Sequence, residues 1–206
     1  CRAQPEVLYA FVDNYEKPGK SITGVSNRLP MDKHMEMVLR FVPELKKLGV
    51  MYNSGEVNSV SNVKRIKAAA DDLGFTVIDA PATNTADVYQ TAQSLVGKVD
   101  AIYVPTDNTV ISALESVIKV CERVKIPLFT ADTDSVKRGA IAAMGFDYYL
   151  HGKQTGALAR RILAGEKPGN IPVEFQKELS FHINPEAATR MGLTVDNKLL
   201  ESADTL

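Results

Sequence analysis

The stretch Val99-Asp-Ala-Ile-Tyr-Val-Pro-Thr-Asp-Asn-Thr-Val110 decides the fold. It reads as a short buried strand, Ala101–Val104, that stops at Pro105 and passes through Asp107 and Asn108 straight into a helix. Two other strand ends are built alike. Leu48–Tyr52 leads into Asn53-Ser-Gly-Glu-Val-Asn-Ser59, and Ile126–Thr130 leads into Ala131-Asp-Thr-Asp-Ser135. Parallel strands ending in such turns would aim them at one crevice, and in open α/β sheets that crevice receives ligands.

Working outward, strand and helix patterns alternate along the chain. Strands are expected at Val7–Val12, Ile22–Ser26, Gly49–Tyr52, Thr76–Asp79, Pro127–Thr130 and Ala140–Met144. Apolar residues at helical spacing mark helices at Met31–Val42, Val57–Leu73, Thr85–Val96, Asn108–Val124 and Tyr148–Leu163. Gly74 suits the C-terminal end of the second of these. The alternation defines an α/β fold, a Rossmann-like, mainly parallel sheet flanked by helices. Gly165-Glu-Lys-Pro-Gly-Asn-Ile-Pro172 is the clearest linker. Beyond it lie a half-exposed strand at Glu178–Ile183, a short helix from Asn184 to Met191, and a tail, Asp196–Leu206, with little periodicity that reads as loose.

The chain has 206 residues, of which 45% are hydrophobic and 24% charged, with a net charge of −1, so a buried core is affordable within ordinary composition. Near neutrality removes the electrostatic case for nucleic acid. No apolar run approaches the ~18 residues that span a bilayer. No signal peptide is visible, and the chain opens on Cys1-Arg-Ala-Gln-Pro. Cys1 reads two ways, as a lipid-modified first residue or as the place where a longer chain was cut. Cys121 falls on the apolar stripe of a helix and reads as a small core residue.

The chemistry lies in the turns. A helix N-terminus offers unpaired N–H groups and partial positive charge, so it accepts an anion. Asn58 and Ser59 could add side-chain donors to a carboxylate. The turns also carry Glu56, Asp107, Asp132 and Asp134, with no Lys or Arg and no glycine-rich phosphate cradle. Acids without basic partners disfavour phosphate and favour an ammonium group. A small zwitterion fits both halves, and an amino acid is the obvious candidate. Each Asp, Asn and Ser also has a purely structural reading, because these residues are the preferred helix caps.

Other chemistries find less support. Asp132-Thr-Asp134 after a strand resembles the first motif of Mg²⁺-dependent haloacid-dehalogenase-type phosphatases. The required later acidic pair is missing around Gly145-Phe-Asp-Tyr-Tyr149. His34, His151 and His182 have no metal-ligand spacing, and no Gly-x-Ser-x-Gly elbow occurs. The pattern calls for no metal, no cofactor and no enzymatic step.

Several motifs together resemble one family. They are Ile22-Thr-Gly-Val-Ser26, Gly49-Val-Met-Tyr-Asn-Ser-Gly-Glu-Val-Asn-Ser59, the Val99–Val110 stretch, Asp134-Ser-Val-Lys-Arg-Gly-Ala140, Phe146-Asp-Tyr-Tyr149 and Gly152-Lys-Gln-Thr-Gly156. Their order, from about Ser21 to Leu193, is that of ABC-transporter substrate-binding proteins of the tryptophan/tyrosine type. The resemblance implies a type I periplasmic-binding fold, with two α/β lobes closing on a ligand around a three-strand hinge. It implies delivery of an amino acid, aromatic by preference, to a membrane permease from the periplasm or an anchored extracellular position. It makes Asn58, Ser59, Asp107, Asn108 and Asp132 or Asp134 ligand-facing, sets Ser26 near the hinge, and adds Tyr148 as a further candidate.

Against that family pattern, the first lobe that should precede Val7–Val12 is missing. The expected organisation is therefore a remnant of the first lobe and hinge at 1–20, the second, ligand-binding lobe at 21–146, a segment returning to the first lobe at 147–177, and a C-terminal strand, helix and tail at 178–206. Apolar surface left by the missing lobe would favour self-association. The runner-up reading is a ligand-sensing effector domain of the same fold.

Overall fold

The computed structural model describes residues 12–176 and 179–206. The expected strand at Val7–Val12 lies outside them except for Val12, which is buried. In chain order the elements are β1 (Val25–Ser26), α1 (Met31–Phe41), β2 (Lys47–Tyr52), α2 (Val57–Leu73), β3 (Thr76–Pro81), α3 (Val88–Ser94) and β4 (Ala101–Val104). Next come α4 (Asn108–Ser112), α5 (Leu114–Val124), β5 (Leu128–Thr130), α6 (Asp134–Arg138), β6 (Ala142–Gly145) and α7 (Tyr148–Leu163). The last are β7 (Glu174–Phe175), β8 (Ser180–Ile183), α8 (Pro185–Arg190) and α9 (Asn197–Glu201). They form two compact units. The chain changes unit between Leu29 and Pro30, between Gly145 and Phe146, and between Leu179 and Ser180.

The larger unit is built on a six-stranded sheet ordered β3-β2-β4-β5-β6-β8. Its first five strands are parallel, and only β8 runs antiparallel, against β6. All of β4 is buried, as expected of a parallel strand covered on both faces. The chain runs outward from β2 to β3 and then returns to place β4 on the other side of β2. The order reverses there, so the crevice between the ends of β2 and β4 is the switch point at which doubly wound sheets bind ligands.

Helix sequences explain how the sheet is covered. In α1, Met31, His34, Met35, Met37, Val38 and Phe41 are buried, and the Phe41 ring meets Phe129 of β5 at 5.2 Å between centroids. α5 buries Leu114, Val117, Ile118, Val120 and Cys121. Burial pushes the Cys121 thiol up to about 12, so it stays a protonated core residue. α2 ends where Gly74 takes a left-handed φ of 84°, which a residue without Cβ adopts freely.

The structure departs from the sequence expectation in several places. The single helix expected over Asn108–Val124 breaks at Ala113, where short-range bonds run from Ala113 N–H to Val110 O and from Ser116 N–H to Ala113 O. Asp134–Arg138 is a one-turn helix too short for periodicity to reveal. The tail is not loose. Asp196 caps α9, Leu199 is buried, and the backbone of Asp204 and Thr205 bonds Phe181 and Ile183 on β8.

The smaller unit holds β1 paired in parallel with β7, Val25 opposite Glu174. Val25, Leu158 and Ile171 form its buried cluster, with Ile162 packed on it. Asp147 caps α7 by accepting the N–H groups of Tyr149 and Leu150.

Candidate functional site

The turns after β2 and β4 meet at the switch point and are bonded directly to each other. Asp107 caps α4, its Oδ1 accepting Val110 N–H at 2.7 Å. Its Oδ2 accepts Asn53 N–H at 2.6 Å and the Ser59 hydroxyl at 2.6 Å. Asn58 Nδ2 donates to Thr106 O at 2.9 Å, and Asn62, one turn further along α2, donates to Thr106 Oγ1 at 2.8 Å. Asn53 Nδ2 donates to Thr109 Oγ1 at 2.7 Å.

Glu56 reaches the other way. Its Oε2 accepts Asn108 N–H at 3.2 Å and Asn108 Nδ2 at 2.7 Å, and its Oε1 accepts Thr109 N–H at 3.2 Å and Thr109 Oγ1 at 3.0 Å. Partial burial pushes the Glu56 pKa up, but these bonds to the charged form outweigh it and hold the carboxyl below its ordinary value. Each turn thus places a carboxylate on the other turn's donors. Among the described residues no ion pair involves Glu56 or Asp107, so the network carries two negative charges on neutral donors.

The first turn of α2 is different. No side chain caps it, whereas the first turn of α4 is filled by Asp107 and Glu56. Val57, its first residue, is 64% exposed. The open anion-accepting end at this crevice therefore belongs to α2.

Of the residues singled out from sequence, Asn58, Ser59, Asp107 and Asn108 come together in one hydrogen-bonded group. Asp132 and Asp134 stand on the turn after β5, next to β4 in the sheet. Asp132 Oδ2 accepts the Ser135 hydroxyl at 2.9 Å, and Asp134 is exposed on α6. Ser26 and Tyr148 belong to the smaller unit. Ser26 is buried and its Oγ accepts Arg28 N–H, whereas Tyr148 is 45% exposed at the start of α7. Sequence reasoning passed over Glu56 as a bridging group and over Asn53, Asn62, Thr106 and Thr109. Asn62 carried a usable signal, since it lies at helical spacing from Asn58 and Ser59 on the same face. Among the described residues no group of three His, Cys, Asp or Glu could hold a metal ion.

A doubly wound lobe with a polar, acid-bearing switch point is the architecture of the type I periplasmic-binding fold, and the comparisons agree. Solved structures that share only its fold include a ribose operon repressor of Lactobacillus acidophilus, 13% identical with a TM-score of 0.58. The chain belongs to the family described as ABC transporter substrate binding protein, which matches residues 4–206. It is 38% identical over 190 residues to the tyrosine-binding protein of Clostridioides difficile strain R20291, a match covering 91% of this chain and 55% of that one. A conserved domain protein of Vibrio cholerae is 39% identical with a TM-score of 0.89, over 97% of this chain and 67% of that one. The ABC domain of Streptococcus pneumoniae solved in complex with L-Trp is 31% identical with a TM-score of 0.87, over 98% and 70%. The chain spans a little over half the length of the curated relatives it matches, 55% and 57%.

Proposed function

We propose that this chain is the solute-recognising part of an ABC importer and that its solute is an aromatic amino acid. The observation that carries the reading is the fused pair of turns at the β2/β4 switch point, in a chain 38% identical to a tyrosine-binding protein. The neighbour solved with L-Trp supports the same ligand class. An α-carboxylate suits the uncapped first turn of α2, with Asn58 beside it. The ammonium group suits Asp132 and Asp134, whose carboxylates carry fewer internal bonds than those of Asp107 and Glu56. The protein works without enzymatic turnover, outside the cytoplasm, and hands its solute to a membrane permease.

Thermal unfolding of the purified chain with a panel of amino acids and sugars tests this. L-Tyrosine, L-tryptophan or L-phenylalanine should raise Tm, by linkage of binding to the folded state, and sugars should not. A sugar-only response, or none at all, overturns the reading. Ser26→Ala and Tyr148→Ala test the two candidates of the smaller unit separately.

A further inference from the structure

We propose that Glu56 and Asp107 form a reciprocal carboxylate clamp, and that both are positioning residues rather than contacts of the ligand's ammonium group. The inference rests on the amino-acid reading above. It adds Glu56 to the working parts of the site and gives Asp107 a role different from the one its sequence position suggests.

A carboxylate offers about four acceptor positions. Glu56 uses them on two backbone N–H groups, an amide and a hydroxyl, all from Asn108 and Thr109. Asp107 uses three, on Asn53 N–H, the Ser59 hydroxyl and Val110 N–H, and only 4% of the residue is exposed. An ammonium contact would need Asp107 to emerge or Glu56 to give up bonds already made.

Their placement gives the clamp its purpose. Asn53 and Ser59 bracket the turn that delivers the first residues of α2, and Asp107 grips both ends. Glu56 immediately precedes Val57 and is tied to the start of α4. The backbone around the open first turn of α2 is therefore held from β4 by two charge-assisted attachments, which are stronger than neutral ones. Such a site is oriented before the ligand arrives, and its affinity loses less to ordering on binding.

The experiment measures affinity for L-tyrosine and for its des-amino analogue, 3-(4-hydroxyphenyl)propionate, in the wild-type chain and in E56Q, E56A, D107N and D107A. With a clamp, each substitution weakens both ligands by the same factor, about tenfold for the alanine variants. E56Q and D107N fall between, because each keeps one acceptor oxygen. A loss confined to L-tyrosine makes the substituted carboxylate a direct ammonium contact and overturns the proposal. Amide NMR provides a readout that does not depend on any ligand. The Asn108 and Thr109 N–H resonances should titrate together with the Glu56 carboxyl in acid, and E56Q should abolish that titration. Amides indifferent to Glu56 also overturn the clamp. If the wild type binds neither compound, the amino-acid reading fails, and the NMR titration alone decides the clamp.

Discussion

Nδ1 of His34 lies 2.7 Å from the hydroxyl oxygen of Tyr103, and both residues are fully buried. The pair joins α1 to β4 inside the larger unit. Burial, opposed by Asp32 and assisted by Arg65, lowers the His34 pKa to about 3, and burial raises that of Tyr103. Nε2 of His34 has no partner among the described residues. The imidazole is therefore neutral in the folded protein and protonates readily once released.

The sign of the resulting pH dependence follows. A His whose folded pKa lies below its unfolded value of about 6.5 contributes stability that is intact above that value. The contribution drains as pH falls toward 3. Urea midpoints should decline between pH 6.5 and 4. The double variant His34→Leu/Tyr103→Phe removes both polar partners together, a change that leaves no new orphan. Its slope should be shallower than the wild type's by up to ~1.4 kcal/mol per pH unit. Parallel slopes would show that other groups carry the acid sensitivity.

Cys121 is completely buried and its thiol is held at about 12. In a Cys1→Ser background, a thiol reagent such as DTNB should leave the native chain unlabelled at pH 8. Labelling should appear only as the chain unfolds, with the urea dependence of unfolding itself. Rapid stoichiometric labelling in native buffer would contradict the burial.

Asn184 closes α8 onto the larger unit. Its Oδ1 accepts Ala187 N–H at 2.8 Å, and its Nδ2 donates to Val136 O at 3.0 Å. Asn184→Ala should cost about 1–2 kcal/mol in urea unfolding, through loss of a cap.

Two glycines should differ on substitution by alanine. A Cβ on Gly145 would stand 2.9 Å from the backbone oxygen of Ala131 and 3.2 Å from Thr133 Cγ2. A Cβ on Gly49 would press on the tips of Leu95, at 2.8 Å, and Val99, at 3.3 Å. Side-chain ends yield more easily than backbone. Gly145→Ala should therefore cost more, about 1–3 kcal/mol, and should displace the turn that carries Asp132. Comparison of both variants by urea unfolding decides it, and equal costs would count against the distinction.

Much of this architecture was readable locally. Ala101–Val104, Val57–Leu73 and Tyr148–Leu163 end where the sequence says they should, because Pro105, Gly74 and the Ala164-Gly165 pair punctuate them. What escaped was non-local or very short. Nothing near Ser180 announces that β8 will run antiparallel to β6, since register comes from a partner strand distant in sequence. The tail from Asp196 lacked periodicity because α9 is a short helix that buries Leu199, and the residues beyond it are held by backbone bonds to β8. At the site, turn composition pointed to Asn58, Ser59, Asp107 and Asn108, which lie in one hydrogen-bonded group, and passed over Asn53, Asn62, Thr106 and Thr109, which share it. It could not foretell that Asp107 would spend one carboxylate oxygen on Asn53 and Ser59, for those are bonds between turns far apart in the chain.

The pairing of β6 with β8 has a consequence for how the protein is made. β6 is complete once Gly145 leaves the ribosome, yet its neighbour begins only at Ser180. At ~5–20 residues per second, the free edge of β6 waits for a few seconds of synthesis. During that interval its unpaired N–H and C=O groups are a template for any passing strand. The late return of Ser180–Ile183 therefore closes an interval in which nascent chains are open to mispairing, and a chaperone that covers this edge should engage before it.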